Sequence, residues 1–294
     1  MSKEAYIHYC NKNEVPLFAY PWWLDAVAGT NWDVAYTKYK DTEIFWPYCY
    51  HQKLIIKKAY QPSLTPYLGP VFVNNFEDEY SKRQHEIDCI SAICKAMPKF
   101  IDFRQKLYPH LDNYLPFFWE KYKQTTKYTY ILDTLENEEI LFKNLKENQK
   151  RQVRKVEKNF VIEQCPDIDT IWKLSRSSLD RQETDFIPSD EYVKNLHHEL
   201  MTREKFISWV VMHEDHPIAS IYMVFDAFSV YYLFGGFEED YRDSGAMTAL
   251  LWKAIQFSKS KNLPLNFEGS MHKGIEKFFR SFGARLTPVN FIWK

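Results

Sequence analysis

The sequence lacks a one-sided charge. Its 294 residues hold 38 Lys and Arg against 39 Asp and Glu, a formal net charge of −1. That balance excludes a global attraction to nucleic acid or to an anionic membrane, so any basic site has to be local. Cysteine is scarce. The five residues Cys10, Cys49, Cys89, Cys94 and Cys165 are odd in number and show no Cys-x-x-Cys spacing. This speaks against a disulfide framework and against a zinc site, and it suits a reducing compartment. No apolar run approaches the ~20 residues of a membrane-spanning helix. The start, Met-Ser-Lys-Glu-Ala-Tyr, has no apolar stretch of the signal-peptide kind. The expectation is a cytoplasmic protein without a transmembrane segment, a metal or a DNA partner.

What is present is a large apolar fraction: 45% hydrophobic residues, 17% of the chain aromatic. That is enough for a real core in one large or two moderate domains. Pro21 stands in a first-turn position of a helix that ends at Gly29. Residues 31–38, 43–50 and 53–58 read as three aromatic-rich strands with turns at 41–42 and 51–52. A helix over 79–97, a strand over 99–103 and a strand pair over 117–122 and 127–132 follow. Between them, residues 61–70 hold three prolines and a glycine, which excludes a helix. Such a loop either shapes a pocket, with Tyr67 facing it, or is a plain connector.

Near Asp133 the character changes, and the predicted domains are 1–133 and 134–294. One long helix is expected over 138–158, with Leu141, Leu145, Gln152 and Val156 on one side. Lys143, Lys146, Lys150, Arg154 and Lys158 lie on the other, and Arg151 and Lys155 add to them. Residues 143–158 carry a net charge of +5. Most such faces are simply solvated, but this excess makes phosphate binding a competing reading. Helices over 168–179 and 189–201 come next, then three antiparallel strands over 206–213, 217–225 and 229–234. The third ends in Gly235-Gly236, a sign of a bulge or of close backbone approach by a ligand. A helix from Arg242-Asp-Ser-Gly-Ala to about 261 follows, and a strand over 286–293 ends the chain, at an edge because of Pro288.

The stretch 265–283 between them is a strand, a turn at Glu268-Gly269-Ser270 and a helix capped by Ser270. Ile275, Phe278, Phe279 and Phe282 form its apolar face, and Gly283 sits where a helix end needs positive φ. This unit delivers a carboxylate and a hydroxyl to the carboxyl end of a strand, where open α/β sheets bind ligands. The alternative is that Glu268 and Ser270 only cap the helix. Arg280 and Arg181 are weaker candidates, and His213, His216 and His272 are given no catalytic role.

Several of these strings resemble one family. The order of elements is similar to that of the GNAT acyltransferase fold. Lys150-Arg-Gln-Val-Arg-Lys-Val-Glu-Lys158 resembles the basic helix of its FemABX-like branch. Tyr231-Tyr232-Leu-Phe-Gly235-Gly236, Arg242-Asp-Ser-Gly245-Ala246, Asn266-Phe-Glu268-Gly269-Ser270 and Gly274 to Gly283 resemble that branch's C-terminal core. Trp22-Trp23-Leu24-Asp25 and Tyr67-Leu-Gly-Pro70 fit its N-terminal part.

The resemblance implies a mixed α/β chain of two GNAT-like subdomains, each a mostly antiparallel sheet flanked by helices, with the catalytic site in the second. It implies transfer of an acyl group from acyl-CoA or aminoacyl-tRNA to an amine, of a small molecule or of a lipid-linked peptidoglycan or other envelope precursor. Under it, Tyr232, Glu268 and Ser270 line the reacting centre. Arg242, Gly245, Ala246, Gly235 and Gly236 hold the donor. Lys150, Arg151, Arg154, Lys155, Tyr67 and Arg181 hold the substrate, with tRNA among the partners. Two departures stand out. Met247 occupies the place of a small residue in the CoA-binding signature, and no coiled-coil hairpin interrupts the chain. The alternative is an inactive protein of this shape that binds a nucleotide or protein partner.

Overall fold

The computed structural model describes residues 2–134, 136–181, 187–269, 271 and 273–294. In chain order the elements are α1 (Ser2–Cys10), α2 (Pro21–Ala28), β1 (Trp32–Tyr39), β2 (Thr42–Lys53), β3 (Ile56–Tyr60), α3 (Glu79–Ala96), β4 (Asp102–Lys106) and α4 (Leu115–Trp119). Then come β5 (Lys123–Leu132), α5 (Glu138–Asn144), α6 (Glu147–Asn159), β6 (Val161–Gln164), α7 (Ile168–Arg181) and α8 (Asp190–Thr202). The chain ends with β7 (Phe206–His213), β8 (His216–Phe225), β9 (Val230–Phe237), α9 (Ala246–Ser260), β10 (Leu265–Asn266), α10 (Lys273–Arg280) and β11 (Arg285–Trp293). The fold is mixed α/β. The contacts group into two units, residues 1–127 with 288–294, and residues 128–287. The last strand thus leaves the half in which its sequence lies: β11 pairs antiparallel with β4, Ile292 opposite Gln105.

In the first unit the strands follow the order β1-β2-β3-β4-β11. Its core is aromatic. Trp46 of β2 is fully buried against Phe103, Phe117 and Tyr122, and its indole N–H donates to Gln105 Oε1 at 2.7 Å. Without that acceptor the burial would cost about 1–3 kcal/mol. Three expectations fail here. The turn expected at 51–52 lies at Leu54–Ile55, because β2 runs on to Lys53. The strand expected at 99–103 begins at Asp102. The strand expected at 117–122 is the helix α4, started by Pro116 in its first turn.

In the second unit the order is β5-β10-β9-β8-β7-β6. Alternation along β7 and β8 sends Trp209, Val211, Ala219, Ile221 and Met223 into one core with Val153 and Val156 of α6 and Leu250 and Ala254 of α9. The other face, with Ser208, Ser220 and Tyr222, meets α7 and α8. Ser220 Oγ donates to Ile171 O at 3.1 Å, and Tyr222 OH lies 2.8 Å from His197 Nδ1. The helix expected over 138–158 is two helices. Leu145 and Lys146 are extended (ψ 147° for both). Leu145 drops its side chain into the core, and the Lys146 N–H donates to Ser281 O at 3.0 Å. Tertiary burial and a backbone partner outweigh helix propensity here. The sequence also gave no sign of β6, whose four residues are mostly exposed.

Burial holds the His197 imidazole below its ordinary value near 6.5, so the folded state takes up its proton at lower pH than the unfolded chain does. The stability this neutral ring contributes is complete above the unfolded value and is lost as pH falls through the folded one. Between about pH 7 and about pH 5 the thermal midpoint is expected to fall, and His197→Leu, less stable throughout, should show a shallower fall. Melting curves of both proteins across that range are the check.

Candidate functional site

The site begins where two strands part. β10 pairs with β9 in parallel at only two positions, Leu265 with Val230 and Asn266 with Tyr231. β9 continues to Phe237. In its pairing with β8, Met223 faces Tyr232 and Tyr222 faces Phe234, so Leu233 is the extra residue of a β-bulge. Beyond β10 the chain turns away. Glu268 takes φ +56°, and its N–H donates to the buried Asn266 Oδ1 at 3.0 Å, which also accepts from Thr129 Oγ1 at 2.7 Å. Gly269 lies so close to β5 that a Cβ there would stand 1.6 Å from Tyr128 O. Past Tyr231, then, the edge of β9 has no strand beside it among the described residues.

The bulge also exchanges faces. Tyr232 and Phe234, two apart, would normally share one. Here the Tyr232 ring packs on Phe279 of α10 at 5.9 Å, whereas Phe234 packs on Trp172 of α7 at 5.3 Å. Tyr232 is partly buried, and its hydroxyl lies 3.0 Å from where a Cβ of residue 235 would stand. That hydroxyl makes no hydrogen bond to any described residue. Burial pushes its pKa well up, so it is a neutral phenol. Glu268, partly buried, lies just past the end of β10, at the same end of the sheet as Tyr232.

The second cluster joins α6 to the start of α9. Gly245 takes φ +90°, and a Cβ there would stand 2.9 Å from Gln152 Cβ. Gln152 Oε1 accepts from Thr248 Oγ1 at 2.5 Å, and Lys155 Nζ reaches Asp243 O at 3.5 Å. Gly245 and Ala246 are buried, and Ala246 N–H donates to Ser244 Oγ at 3.1 Å. Arg242 is exposed and paired with Glu239 at 2.9 Å. Among the other bases of α6, Lys150 is bound to Glu147 at 2.6 Å, Arg151 to Asn148 at 2.9 Å, and Arg154 stacks over Phe142. The basic helix and the 242–246 loop, far apart in sequence, are brought together.

Other expected residues are placed elsewhere. Tyr67 is fully buried in the first unit, beside Phe18 and Tyr108 and under the Lys106 ammonium at 4.7 Å. Gly236 is approached by protein: a Cβ would stand 2.2 Å from Leu174 O of α7. Arg181 ends α7 and its side chain, like all of Ser270 and His272, falls outside the described residues. Arg280 pairs with Glu276 at 2.8 Å, and Glu276 also accepts from Tyr130 OH. His213 Nδ1 lies 2.9 Å from Tyr241 OH, and His216 pairs with Glu238 at 2.8 Å. Sequence reasoning missed Thr248 and the structural part of Asn266. Their signal was a polar residue inside an apolar run.

Residues 143–264 match the acetyltransferase (GNAT) domain model. That stretch is similar to a GNAT domain. That domain takes in α6, Tyr232 and the 242–246 loop and stops just before β10. The fold is similar to that of FemX and of two other solved structures. The crystal structure of FemX superposes with a TM-score of 0.67 at 12% identity, covering 99% of this chain and 96% of FemX. A conserved protein of unknown function from Bacteroides thetaiotaomicron gives 0.54 at 10% identity, over 90% and 86% of the two chains. The C-terminal domain of a protein assigned as a lysylphosphatidylglycerol synthetase from Agrobacterium fabrum gives 0.52 at 13% identity, over 90% and 83%. No curated protein matches the sequence significantly. The domain match supports a transferase. Among the described residues, no group of three or more His, Cys, Asp or Glu is placed to hold a metal ion.

Gly236→Ala is expected to destabilise the protein by roughly 2 kcal/mol, because the added methyl meets the backbone of α7. Gly274→Ala, where nothing lies within 4 Å of the new Cβ, should be neutral or stabilising. Urea unfolding of both variants makes the comparison.

Proposed function

We propose that this protein moves an activated aminoacyl or acyl group onto an amine at the open edge of β9, in a catalytic subdomain formed by the second unit. The observation that carries this reading is the Tyr232 hydroxyl: partly buried, kept neutral, without a hydrogen-bond partner among the described residues, and turned out of the strand's normal alternation at the place where β9 and β10 separate. A neutral amine attacks the acyl carbonyl, a C–N bond forms, and the C–O bond of an ester or the C–S bond of a thioester breaks. The phenol donates a hydrogen bond to the oxygen that becomes negative, or to the departing atom. Glu268 accepts the proton that the attacking nitrogen loses.

The choice of donor follows from the second cluster. A pyrophosphate needs an open helix start. Here Gly245 and Ala246 lie beneath Gln152, and the Gln152–Thr248 hydrogen bond holds that cover down. This favours an aminoacyl ester over a CoA thioester, with Arg151 and Lys155 as phosphate contacts on tRNA or on a phosphate-bearing acceptor such as an envelope precursor. The same cover supports the second reading, an inactive protein of this shape that binds a partner.

The two readings separate in one series of measurements. A true donor at about a hundred times its dissociation constant adds ~2.7 kcal/mol of stability, so aminoacyl-tRNA should raise the melting midpoint more than acyl-CoA does. Tyr232→Phe should lower kcat roughly 100-fold while donor affinity is kept, and Glu268→Gln should abolish turnover. If no donor of either kind shifts the midpoint, the transfer reading is lost and the partner-binding reading takes its place.

A further inference from the structure

The β2–β3 hairpin ends in an apolar tip that nothing in its own unit covers. Leu54 and Ile55 make the turn with 86% and 97% of their surface exposed, and Ile56 follows at 44%. Leu54 holds φ +54°, a conformation for which hairpin turns ordinarily take Gly, Asn or Asp. Neither the turn geometry nor the core calls for aliphatic side chains here. The flanking residues are the second observation. His51-Gln-Lys53-Leu-Ile-Ile-Lys57-Lys58 contains three lysines and no acid. Lys57 is stacked on the Tyr50 ring at 3.7 Å, and Lys53 and Lys58 are exposed.

The third observation is what else lies at this end of the first unit's sheet. β3 and β4 run parallel, Lys58 opposite Asp102, so both strands begin there. Ile101, whose N–H donates to Lys57 O at 3.0 Å, is 67% exposed. β11 runs antiparallel to β4 and brings Lys294 to the same end, where its ammonium donates to Glu120 O at 2.7 Å. Glu120 directly follows α4, whose Phe118 and Trp119 are 59% and 51% exposed. One end of the unit therefore combines an aliphatic tip, a further isoleucine and an aromatic pair with Lys53, Lys57, Lys58 and Lys294, which outnumber the acids Asp102 and Glu120 there.

We infer that this end docks on an anionic lipid bilayer, the tip entering the boundary between headgroups and acyl chains while the lysines meet the phosphates. The charge pattern selects this occupant: a cationic surround about an apolar tip complements a layer that is anionic outside and apolar beneath. A projecting two-residue tip offers little of the ~800 Å² per partner that a stable protein interface needs. With the whole chain near neutrality, the local lysines also orient the molecule on the surface. None of the helices among the described residues is long and apolar enough to cross a membrane, so the contact is peripheral. This inference stands on the first unit alone and is independent of the proposed reaction.

Flotation of the full chain with vesicles tests it. Binding is expected to vesicles with about a quarter phosphatidylglycerol in phosphatidylcholine, to be much weaker on phosphatidylcholine alone, and to weaken with salt. Ile55→Asp should lower the partition coefficient at least ~10-fold, and Lys53→Glu with Lys58→Glu should lower it on the anionic vesicles only. Both sites are exposed, so an unchanged melting midpoint shows that the fold is kept. Absence of vesicle binding, equal binding of both vesicle types, or undiminished binding by Ile55→Asp overturns the proposal. So does a finding that Ile55→Asp splits a dimer while the wild type ignores vesicles, which would make the tip a contact between copies.

Discussion

A single buried amide decides where the second sheet stops being a sheet. Asn266 sits at the last position that pairs with β9, and its side-chain oxygen takes one hydrogen bond from the Thr129 hydroxyl of β5 and one from the Glu268 N–H just ahead. A backbone N–H left unpaired at such depth would cost about 1–3 kcal/mol, so the Asn266 oxygen favours the left-handed turn in which Glu268 donates to it. Turning there takes the backbone away from β9, and the gap that follows has Tyr232 on one side and Glu268 on the other. The chemistry proposed for the protein depends on that divergence.

The other half of the arrangement is electrostatic only in part. From sequence, the basic helix looks like a strip of free charge. In the folded protein Lys150, Arg151 and Arg154 are engaged by Glu147, Asn148 and Phe142. These are exposed contacts of small energetic value, so a polyanion of higher charge density can displace them. What is fixed is the apolar and hydrogen-bonded seam beneath: Val153 and Val156 in the core, and Gln152 over the first turn of α9. The helix is anchored by one face, and the other carries the exposed bases.

Much of the second unit was legible in the sequence because its patterns are local. The strand expected at 206–213 and the helix expected over 189–201 lie where their patterns put them, and the helix expected from 242 to about 261 begins at Ala246. Gly29 and Gly283 both have the positive φ that helix ends require. The errors fall where a distant residue decides. The break at Leu145 needs Ser281 as its partner. Tyr67 is committed to a core built with Tyr108. The two glycines of β9 looked alike but serve different neighbours, Gly235 the Ser220 carbonyl of β8 and the Tyr232 side chain, Gly236 the backbone of α7. The Gln152–Thr248 cover joins residues almost a hundred positions apart, and no window of sequence displays it.

The bulge at Leu233 has one more consequence. A strand counts in twos, so an odd residue changes the parity of everything after it. Most length changes are absorbed in loops, but removal of one residue here would be a frameshift in space. It would carry Tyr232 across to the α7 side or send Phe234 and the two glycines to the wrong one. The length of β9 is therefore part of the site's chemistry, and its arithmetic is as constrained as any side chain in it.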